Sequence, residues 1–163
     1  MSTGCPRTEI RIHVDGVPVG KGRPRFARQG AHVRAYTPKK TEDYEALVAV
    51  HARQAMAGRQ ILSDPVEMIV IANMPIPPSW PRWKQAAALD QRISPTTKPD
   101  VDNLVKLACD AINGIVYRDD SQVVEIRIRK QYRAAPGLTI YVVGAPGHGA
   151  QITKPHSTEA AHA

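Results

Sequence analysis

Aromatic residues are few in this chain, at 5% of 163 residues with a single phenylalanine. Cysteine is rarer still. Cys5 and Cys109 are the only two, far apart, with neither metal-type spacing nor a disulfide framework. They read as free thiols in a reducing cytoplasm. No apolar run approaches the ~20 residues that span a bilayer. Residues 1–7 lack the apolar stretch of a secretory signal. There is no Gly-x-Ser-x-Gly, no dinucleotide-binding glycine pattern and no P-loop. Gly20-Lys21-Gly22-Arg23 has neither the P-loop spacing nor its Lys-Ser/Thr end. No internal repeat is present. Acidic charge is the minority sign, with 15 Asp and Glu against 22 Lys and Arg and a net charge of +7. That balance favours a polyanionic partner, nucleic acid or an anionic membrane surface. Hydrophobic residues, at 42%, suffice for the core of one domain.

The scarce acids are concentrated where they matter. Lys98-Pro99-Asp100-Val101-Asp102-Asn103-Leu104-Val105-Lys106 reads as the start of a helix. Val101, Leu104, Val105, Ala108, Ala111 and Ile112 give an apolar stripe at helical spacing. Asp102, Asn103, Lys106 and Asp110 fall on the other side. Asp100 suits the N-cap, Lys98 is pushed toward an extended conformation by Pro99, and Asn113-Gly114 supplies the stop. Asp119-Asp120 follows after a short apolar link. A structural reading exists: Asp is common at helix starts, and Asp102 with Lys106 is a favourable i, i+4 ion pair. Two acidic pairs in a basic chain point instead to hard oxygen ligands for magnesium. The spacing is not that of an EF-hand, because Val105 and Ala111 stand where its glycine and glutamate belong.

The rest of the chain supplies a frame and a basic surface. Residues 9–14 alternate as a half-buried strand, with His13 on the polar face. Residues 20–40 carry seven basic residues and no acidic one. Lys21, Arg23, Arg25, Arg28 and Arg34, in a loop or irregular hairpin, are read as contacts to a DNA backbone. Thr41 is expected to cap a helix whose apolar face is Tyr44, Leu47, Val48, His51, Ala52 and Ala55, ending at Gly58. Residues 65–72 read as a central strand covered on both faces. Residues 82–89 are expected to form a short helix, and Trp80, Trp83, Arg82 and Lys84 sit together there. They are either a platform for DNA bases or a plug pinning a long loop. Residues 124–129 and 138–142 are expected to pair as an antiparallel hairpin. Residues 145–163 are expected to be a disordered tail.

The acidic helix start, Asp110-Ala111-Ile112-Asn113-Gly114 and Tyr117-Arg118-Asp119-Asp120-Ser121-Gln122-Val123 together resemble the RusA family of Holliday-junction resolvases. Val17-Pro18-Val19-Gly20-Lys21-Gly22-Arg23-Pro24-Arg25 and the Trp80 region share in the resemblance. It implies an α+β fold, a mixed β-sheet with two main helices packed on it, in one small domain over residues 9–144; the N-terminus (1–8) and the C-terminal tail fall outside the resemblance and are expected to be flexible. It implies a homodimer that cuts DNA four-way junctions with Mg2+, or Mn2+ as substitute, in DNA recombination and repair. The setting implied is the bacterial cytoplasm, nucleoid-associated and often prophage-encoded. Position by position, Asp100, Asp102 and Asp120 match the family's catalytic and metal-binding acids, and Lys106 its catalytic lysine. Asp119, Asn103 and Asp110 are supporting candidates. Sequence alone does not rank Asp119 against Asp120. Lys98, with Trp80, Trp83 and the basic residues of the loop, completes the expected DNA surface. The alternatives are a non-catalytic DNA-binding module and a nuclease for other branched DNA.

Overall fold

The structure, a computed structural model, describes residues 8–22, 25–29, 32–36 and 38–144, with only the backbone path for 25–29 and 32–36. The remaining termini, including Cys5 and the tail from 145, lie outside the described residues. So do Arg23 and the side chains of Arg25, Arg28 and Arg34. Among the described residues the elements run β1 (Glu9–Asp15), β2 (Arg25–Gln29), β3 (His32–Tyr36), α1 (Lys39–Ala55), β4 (Val66–Pro75), α2 (Arg82–Leu89), α3 (Val101–Ile112), β5 (Val123–Arg133) and β6 (Gly137–Gly144). The architecture is the expected α+β domain with a mixed sheet. Its two long helices are α1 and α3, and the short α2 occupies residues 82–89 as expected.

Burial explains the sheet order, β1-β6-β4-β5. In β1, Ile10, Ile12 and Val14 point inward, so the strand is covered on one face and suits a sheet edge. β4 is central, as expected, but one face is fully buried and the other only half-buried. Val66, Met68, Val70, Ala72 and Met74 carry the buried face. α1 packs on β1 and α3, while α3 packs on β4 and β5.

The expected hairpin of residues 124–129 with 138–142 does not form. β5 pairs in parallel with β4, and β6 lies antiparallel between β4 and β1. Arg133 sits opposite Pro75 and Gly137 opposite Asn73, so residues 134–136 step over the end of β4. Three residues cover the ~10 Å of two strand spacings. The short link looks like a hairpin turn in sequence, but burial decides otherwise. β6 is buried along most of its length and needs a central slot, whereas β5, with Glu125, Arg127 and Arg129, suits an edge. The parallel β4–β5 pair is closed by the long crossover through α2 and α3.

Two helix expectations change. Thr41 does not cap α1: Pro38 occupies the N-cap position, and its carbonyl accepts from the Thr41 and Glu42 N–H groups. Proline fixes its own φ near the value needed there, which puts Thr41 inside the first turn, buried. On that helix Leu47 is exposed rather than packed. On α3 the buried stripe is Leu104, Leu107, Ala108, Ala111 and Ile112. Leu107 completes it at i+3 and i+4 spacing, while Val101, in the first turn, is left exposed. Asn113 closes α3 as expected, and Gly114 follows at φ 69°, a conformation natural to glycine.

Tyr44 fastens α1 into the core. Its hydroxyl is buried without a hydrogen-bond partner, and burial pushes its pKa up to about 12. A tyrosine that must stay neutral to remain folded contributes stability below its unfolded pKa of about 10, lost as pH rises toward its folded value. Thermal melts are therefore expected to fall more steeply above about pH 10 than below it. Tyr44→Phe should remove part of that fall, and identical alkaline limbs for both proteins would refute this assignment.

Candidate functional site

The site begins at the entry to α3. Asp100 occupies the N-cap position in an extended conformation, yet its carboxylate makes no capping bond. Asp102 lies in the first turn, and both side chains are exposed. The loop after β1 is pressed against this entry. The Lys21 N–H donates to the Asn103 carbonyl at 2.8 Å. A Cβ on Gly20 would stand 2.7 Å from Pro99 Cβ and 3.0 Å from Asn103 Cβ, so only glycine fits there.

Lys21 then reaches under the helix. Its ammonium donates to both Glu45 carboxylate oxygens at 3.0 and 2.8 Å, and lies 2.9 Å from Asp110 Oδ2. Burial works to lower its pKa, but the bonds and charges of Glu45 and Asp110 outweigh that, and the net shift is upward. Lys106 Nζ lies 3.7 Å from the other Asp110 oxygen, and its side chain is 66% exposed. Asp110 is thus held firmly by Lys21 and loosely by Lys106. Asp102 and Lys106 form no ion pair in the structure, so the structural reading of that spacing is not realised. No sequence spacing signals the Lys21–Glu45 contact, because it joins a loop to α1. Lys21→Met would leave two half-buried carboxylates without their cation. The expected cost is roughly 1–3 kcal/mol, read as a lowered midpoint in urea unfolding with the slope unchanged. A midpoint equal to wild type would show the cluster to be unimportant to folding.

The second acidic pair is sorted by hydrogen bonding. Asp119 caps the 3-10 turn Asp120–Gln122, its carboxylate accepting from the Ser121 N–H at 2.9 Å. Bonding to the Ser121 side chain and then its backbone holds Asp119 below its ordinary carboxylate range. Gln122 closes the capping box. Its carbonyl oxygen accepts from the Arg118 and Asp119 N–H groups at 2.7 and 3.0 Å. Its amide donates to the Leu62 and Asp64 carbonyls at 3.1 and 2.9 Å. Gln122 therefore ties the turn to the segment before β4. Sequence reasoning missed its role, although Asp-x-x-Gln is the spacing of a capping box. Asp120 is left exposed, with its carboxylate free of such bonds.

Cys109, one turn on from Lys106, shows how these charges are gathered. Burial pushes its thiol pKa up, the Tyr117 hydroxyl works against that, Asp120 and Asp110 raise it further and Lys106 lowers it. Asp120, Asp110 and Lys106 therefore all act on one sulfur.

The expected basic contacts distribute unevenly. Lys21, Lys40, Lys98, Asp100 and Asn103 share an open groove of about 680 Å³ beside the α3 entry. Lys40, the last residue of the basic run read as a DNA-backbone contact, belongs to this groove. Trp80 packs edge-on against Tyr132 at 5.3 Å and carries Lys84 over its ring at 3.9 Å. That is the plug arrangement. Trp83, by contrast, is 71% exposed.

The donor chemistry of Asp100, Asp102 and Asp120 is that of a hard divalent cation: carboxylate oxygens, exposed and free of protein partners. Among the described residues no three His, Cys, Asp or Glu side chains converge closely enough to hold an ion. The arrangement fits a site with one or two carboxylates completed by water and substrate oxygens, which is how magnesium is commonly held. It does not form a three-carboxylate cage.

A small α+β domain with unpartnered acids at a helix start, an exposed lysine one turn on and a basic groove alongside has the parts of a nuclease. A protein-family model described as "Endodeoxyribonuclease RusA" matches residues 15–143, and the chain belongs to the RusA endodeoxyribonuclease family. Among individual proteins it is similar to the "Uncharacterized protein YqaN" of Bacillus subtilis (strain 168). The two are 36% identical over 135 residues, which cover 82% of this chain and 94% of the relative. No described helix is long and apolar enough to cross a membrane.

Proposed function

We propose that this protein is a magnesium-dependent endonuclease that resolves DNA four-way junctions, acting in recombination and repair. The observation that carries the reading is the juxtaposition at α3. Unpartnered carboxylates at its start and the exposed Lys106 stand beside a groove lined by Lys40 and Lys98. Membership of a family of endodeoxyribonucleases supports the reaction class.

In this reading Asp100 or Asp102 from α3 and Asp120 from the turn hold the cation, and Mn2+ substitutes for Mg2+. When bound, the ion would neutralise charge on the phosphate and lower the pKa of a water so that it can lose a proton and attack phosphorus as hydroxide. The chain's own residues do the rest. Lys106 is only loosely tethered to Asp110 and meets a phosphate oxygen as a point charge. Asn103 is fixed by its carbonyl bond to Lys21 and steadies the helix start. Asp119 and Gln122 hold the turn that presents Asp120. Lys98 and Lys40 grip the DNA backbone, with Arg23, Arg25, Arg28 and Arg34 as further candidates from the loop and hairpin. Trp83 is the aromatic group left free to meet a base, whereas Trp80 braces the loop. The working unit is a homodimer of the domain spanning residues 9–144, one site to each of two opposed strands. Its setting is the bacterial cytoplasm, at the nucleoid.

The test is cleavage of a synthetic four-way junction, a fork, a duplex and a single strand at equal salt, with Mg2+ and with chelator. Magnesium-dependent cutting of the junction in preference to the others is expected. Equal cutting of fork and junction would support the broader branched-DNA nuclease, and no cutting of any substrate would overturn the enzyme reading.

A further inference from the structure

The outer face of α2 carries the most exposed large apolar side chain among the described residues. Ala87 and Ala88 are the buried residues of this helix, and it packs on β5. Trp83, in the first turn, is 71% exposed, and Leu89 is 44% exposed. The surroundings are basic. Residues 81–99 hold Arg82, Lys84, Arg92 and Lys98 against one acid, Asp90, and that acid is already paired with Arg92 at 3.0 Å. The second half of β5 adds Arg129, Lys130 and Arg133. Contacts bind these segments together. Lys84 lies over the Trp80 ring, which packs edge-on to Tyr132 of β5. Arg129 donates to the Gln91 side chain, and Lys130 to the Thr97 carbonyl at 2.6 Å. Pro95 is buried and Ile93 packs on the core, so the loop after α2 is fixed to the domain. It leads to Lys98, which lines the groove beside Asp100.

We infer that α2 and the loop behind it form a second nucleic-acid contact, one that selects a strand with unpaired bases. Trp83 stacks on a base that has lost its neighbour, and the arginines and lysines around it hold the adjoining phosphates. This deepens the reading above and rests on it for the choice of DNA as the polyanion. The chemistry separates the two parts. Cations meet phosphate in any DNA and give affinity without selectivity. An aromatic ring needs an uncovered base face, and is tolerant of sequence because every base has one. Inside a continuous duplex both faces are covered by stacking. At a branch or in a single strand they are not. Trp83 therefore adds affinity for interrupted DNA and little for duplex. An anionic membrane surface also attracts a basic, aromatic-bearing helix. Two observations favour nucleic acid. The large apolar side chains exposed on α2 are Trp83 and Leu89 alone, a small area to anchor in lipid. The run of cations also continues through Lys98 into the groove at Asp100.

The test is equilibrium binding by the full chain in chelator, so that cleavage is not read. The probes are a thymidine oligonucleotide, a continuous duplex, a four-way junction and phosphatidylserine vesicles. The chain has two tryptophans, and Trp80 is packed against the core. The oligonucleotide is therefore expected to quench tryptophan fluorescence, and Trp83→Ala to remove the quench. Trp83→Ala should weaken binding to the oligonucleotide and the junction roughly tenfold, and to the duplex less than about twofold. Trp83→Phe keeps a ring and should retain most of the affinity. Arg82→Gln should weaken binding to all three DNAs, with a salt dependence shallower by about 0.7–0.9 in log–log slope, one phosphate contact. Both positions are exposed, so thermal melts like wild type are expected. Full oligonucleotide affinity in Trp83→Ala, or an equal loss on duplex and single strand, would overturn the stacking role. Fluorescence that responds to the vesicles and not to DNA would overturn nucleic acid as the partner. Binding as expected by a protein that cuts no junction with Mg2+ would count against the nuclease reading and leave the role of α2 standing.

Discussion

Asp102→Asn is expected to abolish junction cleavage, lowering its rate at least roughly 10²-fold, while junction affinity stays equal or rises. The substitution keeps the shape of the side chain and removes its charge. Asp102 is exposed in the first turn of α3, and its carboxylate makes no bond that the fold depends on. Stability should therefore change little. Removing a negative charge next to a groove lined by Lys21, Lys40 and Lys98 also lessens repulsion of phosphate. Binding and catalysis should separate: gel-shift affinity retained, single-turnover cleavage lost. The non-catalytic DNA-binding alternative predicts no cleavage by wild type either. Unchanged cleavage by Asp102→Asn would remove Asp102 from the metal site.

The second large effect belongs to Lys106. Lys106→Met should lower single-turnover cleavage by roughly 10²–10³-fold without raising the magnesium concentration needed for half-maximal rate. The ammonium is exposed and 3.7 Å from Asp110, whose firmer partner is Lys21. In the proposed reading it meets a phosphate oxygen of the substrate. A residue that meets phosphate alters the chemical step, whereas a residue that organises acids alters metal dependence. If Lys106→Met shifts the magnesium requirement and spares the rate at saturating metal, its role is to position carboxylates instead.

The contrast between these two predictions follows from features that were unequally visible in sequence. The acidic helix was legible because its determinants are local: apolar spacing along one stripe, Asp100 ahead of it and Asn113-Gly114 behind. β1 was legible for the same reason, since its alternation needs no partner to be read. The β5–β6 arrangement was not. A three-residue link means a hairpin unless another strand slots between, and the competing strand, β4, lies about fifty residues earlier in the chain. Thr41 was misplaced because Pro38 starts the helix by its fixed φ, which outranks a side-chain cap that never forms.

The site divides the same way. Asp100, Asp102 and Lys106 could be named from one short stretch. The difference between Asp119 and Asp120 needed the fold: Asp119 accepts from the Ser121 N–H in its capping box with Gln122, while Asp120 is left exposed. Lys21 was read as a DNA contact from its place in a basic run, yet its ammonium is held by Glu45 and Asp110. Such a pairing across α1 and α3 has no sequence signature. Burial and pairing restrain this lysine, whereas Lys40 and Lys98 stay exposed to solvent.

The most direct measurement is anomalous diffraction from crystals soaked in Mn2+. The account predicts an ion in contact with a carboxylate oxygen from the start of α3, Asp100 or Asp102, and with one from Asp120, at about 2.0–2.2 Å. An ion bound elsewhere, or one that touches the α3 carboxylates while Asp120 faces away, would contradict it.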